Sequence, residues 1–410
     1  MLERSKCMNV PEIRFKEFCD YYSDVLLEKC LSVSNKKNNK LEYKKEDALS
    51  VSDEFGVVNQ IEHLGRSYTG NNISTYKILN KGQIVYTKSP LKLKPFGIIK
   101  VNNNKPGIVS VLYAIYDVKE GFDPNYISVY FEPNFRLNRY LLPLINKGAK
   151  NTINISDETA LSGEVHIPLS YAEQQKIASY FQSLDSLIQT TSKELTSLKQ
   201  IKAASLQSMF PQEGETVPKV RFKGFEGEWE KIPFGSFLKE SYERSTVENE
   251  DILLSSAITG VYLNSELFGH QRGSSNIGYK KIKKNMLILS AQNLHLGNAN
   301  VNLRFEHGLI SPAYKVYEIV NISPLFLQQW IKMDSTKSFF LNATTAGASL
   351  CRKNIVWDDL YKQIVLIPSK NEQVKIGLFF SNLDKQISLQ TQRLEKLKQI
   401  KAACLDKMFV

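Results

Sequence analysis

Two stretches of the chain share one spacing of apolar positions. In residues 173–210 they fall at Ile177, Phe181, Leu184, Ile188, Leu195 and Leu198, and in 372–409 at Ile376, Phe380, Leu383, Ile387, Leu394 and Leu397. These steps trace the a/d seam of a heptad pattern and predict one long helix in each stretch. Thr191 and Gln390 interrupt the seam at the same place, where a polar residue can set register. The first stretch has no Pro or Gly inside it, and the second has only Gly377. At ~1.5 Å per residue each helix would be roughly 55–60 Å long, too long to persist in water alone. The nearest partner for each is the other. The alternative is two amphipathic helices, each packed on its own neighbouring body.

The segments between have a different pattern. Ile78-Leu79, Gln83-Ile84-Val85-Tyr86 and the run 108–116 are β-branched and aromatic, separated by Asn80-Lys81-Gly82, Asn102-Asn103-Asn104 and Lys105-Pro106-Gly107. This is strand and turn chemistry. Met286-Leu287-Ile288-Leu289 and Lys315-Val316-Tyr317-Glu318-Ile319 repeat the theme, while residues 137–145 and 324–333 read as helical. The fold class is therefore α+β, with short strands joined by long polar loops.

The likeness of the two halves is literal. Aligned without gaps at an offset of 199, the two helical stretches are identical at 19 of 38 positions, and Leu-Lys-Gln-Ile-Lys-Ala-Ala recurs at 198–204 and 397–403. Pro11-Glu12-Ile13-Arg14-Phe15-Lys16 is echoed by Pro218-Lys219-Val220-Arg221-Phe222-Lys223. Ile167-Pro168 and Glu173-Gln174 are echoed by Ile367-Pro368 and Glu372-Gln373. A unit of about 200 residues is duplicated. Its divisions are a first body at 1–170, a helix at 171–210, a second body at 211–370 and a second helix at 371–410.

Composition narrows the function. Apolar residues make up 42% and charged residues 23%, globular values that exclude a disordered or fibrous chain. The net charge of +11 favours polyanionic partners. The five cysteines (Cys7, Cys19, Cys30, Cys351, Cys404) form no C-x-x-C pair, so reduced thiols in a cytoplasmic protein are expected, with no metal site. No signal peptide or membrane span is expected either.

Catalytic motifs are missing. The chain has no phosphate-cradling G-x-x-x-x-G-K-[ST] loop and no G-x-G-x-x-G. Asp123-Pro124-Asn125-Tyr126 lacks the second Pro of an adenine-methyltransferase motif, and Asp24 with Glu42-Tyr43-Lys44 matches a nuclease pattern only loosely, with no counterpart in the second copy. A self-contained enzyme is not expected. Polar loops say more. In the first body Arg66, Tyr68 and Lys77 precede a strand, and Thr87, Lys88, Ser89, Lys92 and Lys94 follow it. In the second, Gln271, Arg272 and Ser274 precede Lys280 and Lys281, and Gln292, Asn293 and His295 follow the matching strand. Arg, Lys, Asn and Gln read base edges, while Lys, Ser and Thr also suit phosphates, so these are candidate DNA contacts. Lys199/Lys202 and Lys398/Lys401 read as a solvated helix face.

Body, helix, body, helix, with near-identical helices and divergent bodies, resembles the specificity subunit of type I restriction–modification systems. The resemblance rests on the Pro-x-Ile/Val-Arg-Phe-Lys segments, the paired Ile-Pro and Glu-Gln elements and the Leu-Lys-Gln-Ile-Lys-Ala-Ala repeats, and spans essentially the whole chain. The first copy departs from it at Phe18-Cys19-Asp20-Tyr21-Tyr22, where the second has Gly224-Phe225-Glu226-Gly227-Glu228-Trp229. The resemblance implies two target-recognition domains separated by two long conserved helices in an antiparallel coiled coil with pseudo-two-fold symmetry. It implies that each domain reads one half of a bipartite, asymmetric double-stranded DNA site while the helices set the spacer. The implied partners are two modification subunits carrying S-adenosylmethionine and restriction subunits using ATP and Mg; the chain has no cofactor of its own. Two other readings remain: a tandem nucleic-acid binder without sequence preference, and a coiled-coil scaffold whose bodies bind protein.

Overall fold

In a computed structural model, described for residues 10–91, 93–147, 153–268, 275–349 and 352–410, the chain forms two compact units. One comprises residues through Thr191 together with Arg393–Val410, and the other Ser192–Gln392. Each long helix, Tyr171–Ser208 and Lys370–Lys407, contributes one end to each unit.

The first unit is built on a four-stranded antiparallel sheet ordered Leu31–Val33, Ala114–Val118, Ile84–Tyr86, Ile99–Val101. Two antiparallel pairs, the hairpin Leu49–Ser52 with Gly56–Asn59 and the longer-range pair Lys77–Leu79 with Gly107–Val109, meet through a bridge between Ala48 and Ile108. The apolar run 108–116 is thus two strands in different sheets. The turn between them exposes Val111 and Leu112, so apolar content alone overstates the strand. The segment 137–145 is helical only to Leu141, in the helix Asn134–Leu141. Ile177, Phe181 and Leu184 enter the same core as Cys404, Met408 and Phe409. The Phe409 ring lies 5.6, 5.9 and 5.9 Å from those of Tyr126, Tyr130 and Phe181. Asp185 pairs with Lys401 at 2.6 Å and Tyr180 meets Cys404 at 3.4 Å, so within this unit the two helical stretches run in opposite directions.

The second unit repeats the plan. Its antiparallel sheet is ordered Leu238–Glu240, Tyr314–Ile319, Leu287–Ser290, Ala299–Val301. Its other sheet is continuous: Gly260–Leu263, Leu253–Ala257, His307–Ile310, Lys280–Lys283. The stretch 324–333 becomes the helix Pro324–Trp330, and a further helix follows at Asp334–Leu341. Phe210 packs against Trp229, Phe326 and Phe380 at 5.8, 5.5 and 6.1 Å. Lys202 pairs with Asp384 at 2.5 Å and Gln390 with Glu194 at 3.1 Å, again fixing opposite directions. The seam residues of both helices are buried or half-buried. Packing each helix wholly on its own body is therefore ruled out, because each body takes helical residues from both copies. Lys202 and Lys401 also differ from the solvated face expected of them. Both are ion-paired, Lys401 doubly, with Glu132 at 2.5 Å and Asp185.

The repeated motifs are ties between body and helix. Arg14 forks onto Glu173 with bonds of 2.7 and 2.8 Å, and Arg221 onto Glu372 with the same two lengths. Both carboxylates are buried, and a bidentate guanidinium satisfies both oxygens of each. Gln174 donates to the Pro168 carbonyl and accepts from the Asp123 amide; Gln373 does the same with Pro368 and Ser323. In each copy Arg, Glu and Gln fasten the helix start to the loops that enter and leave the body.

Candidate nucleic-acid interface

The first-body candidates separate into two groups. Asn59 caps the short helix Gln60–Leu64 by accepting from the Ile61 and Glu62 amides, and Gly65, at φ 76°, ends it in the left-handed conformation that glycine adopts freely. The next residues are held by Gln60, whose amide nitrogen donates to the Leu49 carbonyl and whose oxygen accepts from the Tyr68 amide. On this pinned turn Arg66 and Tyr68 are both exposed, and the guanidinium carbon sits 4.7 Å from the ring centroid.

The other described first-body candidates are tied into the fold. The ammonium groups of Lys77 and Lys88 both bind the Asp157 carboxylate, at 2.9 and 2.5 Å. Burial by itself raises the Asp157 pKa, but these two hydrogen bonds win and hold it below the ordinary carboxylate value. Lys88 has φ 50°, a left-handed conformation unusual for a side chain with a Cβ. Thr87 is buried; its hydroxyl accepts from the Ile98 amide, and its carbonyl accepts from the Ser89 hydroxyl. Lys94 donates to the Glu132 carbonyl at 2.8 Å and pairs with Asp53 at 3.2 Å. Lys92 lies outside the described residues.

In the second body Gln271, Arg272 and Ser274 likewise lie outside the described residues. The run 280–284 is no bare cationic patch. Lys280 is buried, and desolvation lowers its pKa. Lys281 pairs with Glu250, Lys283 with Glu243 at 3.3 Å, and Lys284 with Glu306 at 2.5 Å. Gln292 and Asn293 are exposed on the turn after Leu287–Ser290, which is tightened by the Asn293 amide on the Ser290 hydroxyl. His295 is buried beneath the turn. Neither ring nitrogen has a hydrogen bond among the described residues, and burial keeps its pKa below the ordinary value.

Of the described candidates, Arg66, Tyr68, Gln292 and Asn293 are therefore presented outward, while the lysines are largely occupied by acids. Asp157, which organises two of those lysines, escaped sequence reading. It lies 80 and 69 residues from its partners, and no local pattern marks it. Among the described residues no group of three or more His, Cys, Asp or Glu could hold a metal ion, and no helix is long and apolar enough to cross a membrane.

Compared by sequence, the chain matches no family model and no curated protein. Compared by structure, it aligns with the crystal structure of the S subunit of a type I restriction–modification system from M. genitalium. The alignment covers 98% of this chain and 99% of that one, with a TM-score of 0.58 and 13% identity. The chain has the fold of a type I S subunit. At that identity the likeness concerns the fold, and no site residue is carried across. The HsdS subunit from Thermoanaerobacter tengcongensis also aligns, over 95% of this chain and 96% of that one, at a TM-score of 0.43 and 13% identity. A chain from work on assembly and conformational transition of the type I R-M system aligns over 95% and 97%, at a TM-score of 0.44 and 13% identity.

Proposed function

We propose that the chain is the non-catalytic DNA-recognition subunit of a cytoplasmic type I restriction–modification complex. Each body reads one half of a bipartite, asymmetric double-stranded DNA site. The two long helices set the spacer between the halves and dock two modification subunits. Restriction subunits join that assembly. S-adenosylmethionine, ATP and Mg belong to these partners.

The observation that carries the reading is an S-subunit fold over nearly the whole chain together with a duplication in which the helices match and the bodies differ. Matching helices suit two copies of one partner, and differing bodies suit two different half-sites. The occupancy of the lysines favours this over a binder without sequence preference. Such a binder needs many free cations to displace counterions, and among the described cationic candidates Lys77, Lys88, Lys94 and Lys281 are already paired with acids.

The deciding experiment maps adenine methylation genome-wide in cells expressing the chain with its modification subunit. The expected result is one split motif, methylated on both strands, with a fixed gap. A heptad inserted into one long helix should change that gap or abolish modification. Alanine at Gln292, Asn293 or Arg272 should alter one half of the motif only. A stable complex that leaves no new methylation would favour the scaffold reading.

A further inference from the structure

We infer that Arg66, held by Tyr68, is the base-reading side chain of the first body and that it takes a guanine edge in the major groove. This rests on the DNA-recognition reading above and assigns one residue within it.

Four observations converge on the pair. Among the described candidates of the first body, only Arg66 and Tyr68 are exposed without a tie to the fold through their functional groups. Lys77 and Lys88 are bound to Asp157, Thr87 is buried under the Ile98 amide, and Lys94 is bound to the Glu132 carbonyl. The guanidinium is already stacked, 4.7 Å from the ring centroid, inside the range of a cation–π contact. The backbone beneath is fixed at both ends: the Asn59 cap and the Gly65 turn stop the helix, and Gln60 joins the Tyr68 amide to the Leu49 carbonyl. Finally, among the described residues no carboxylate pairs with Arg66, whereas Lys281, Lys283, Lys284 and Arg304 of the second body each have one.

A flexible arginine must lose most of its rotamer freedom to bind bidentately. One already stacked on a ring loses less, and stacking leaves the edge of the guanidinium open. Guanine presents O6 and N7 side by side in the major groove, the acceptor pair that fits two parallel N–H donors. A phosphate would also accept from Arg66, but any cation satisfies a phosphate, and a bound phosphate carries no sequence information.

The test uses the full chain assembled with its modification subunits, with methylation motif and DNA affinity as readouts for wild type, R66A, R66K and Y68A. Wild type must first give a split motif. If it gives none, the DNA-recognition reading fails and the assignment of Arg66 is not what failed. Given that motif, R66A should relax a guanine in one half-site, leave the other half unchanged, and lower preference for the specific site by roughly 5–150-fold, the range for one bidentate base contact. R66K should keep only part of the preference, because an ammonium reaches O6 and N7 without the planar, pre-organised fork, and Y68A should weaken the preference less than R66A. An R66A variant that loses affinity equally on every sequence, with its motif unchanged, would overturn the inference in favour of a phosphate contact. So would an R66A motif identical to wild type at equal affinity. Because Arg66 is exposed, unchanged thermal unfolding is expected for all three variants.

Discussion

Replacing Arg221 by Ala isolates the tie between body and helix in the second unit. The variant removes both bonds to Glu372, at 2.7 and 2.8 Å, and a third donated to the Gly227 carbonyl at 2.6 Å. What remains is a carboxylate whose side chain is 0% exposed, with its guanidinium partner gone. Breaking a buried pair from one side costs about 3–5 kcal/mol, since the remaining charge is stranded. Removing both charges in R221M/E372M strands no charge and should be neutral or stabilising by up to about 4 kcal/mol. R221K should lie between, keeping the charge but not the fork. All three tryptophans, Trp229, Trp330 and Trp357, lie in the second unit. Urea unfolding followed by tryptophan fluorescence at pH 7 therefore reports this unit. A loss of about 3–5 kcal/mol corresponds to roughly 6–20 °C in Tm for a unit of this size. The reasoning is refuted if R221A stays within 1 kcal/mol of wild type, or if the double variant is as unstable as the single one.

Other expectations follow from the same packing. Lys332 donates to the Ile258 and Ala299 carbonyls, and burial, aided by the Lys202 charge, pushes its pKa down to about 8. The unfolded side chain keeps its proton to about 10.5, so the unfolded state binds more protons between pH 8 and 10.5 and stability should rise with pH across that window. The two and a half pH units are worth at most about 3 kcal/mol, and K332M should flatten the rise; parallel urea-midpoint curves at pH 7.5 and 9.5 would count against it. In G377A the new Cβ would lie 2.7 Å from Leu325 Cβ and 2.9 Å from the Phe326 amide nitrogen. Overpacking of about 1–3 kcal/mol should offset or exceed the ~1 kcal/mol gain in helix propensity, and a higher Tm by calorimetry would contradict this. F409A should cost the first unit about 3–5 kcal/mol and leave the tryptophan transition unmoved, whereas F210A should shift that transition; hydrogen exchange assigns the loss to each unit.

The sequence determined the duplication, the two long helices and their seam, because helix period and repeat are local, one-dimensional signals. It also marked Arg14, Arg221, Glu173 and Glu372 through repetition, though not as partners. Tertiary structure decided the pairing of these residues, which spans 151–159 positions along the chain. It also decided which end of each helix closes which core and which polar loop residues face outward. Lys77 and Lys280 read alike in a string of letters. One is held by an acid 80 residues away, the other is buried in a strand, and Arg66 stands free of both constraints. A lysine's availability depends on whether a carboxylate lies within about 3–4 Å of it. That distance is set by how strands and loops pack, and no local pattern in the chain records it.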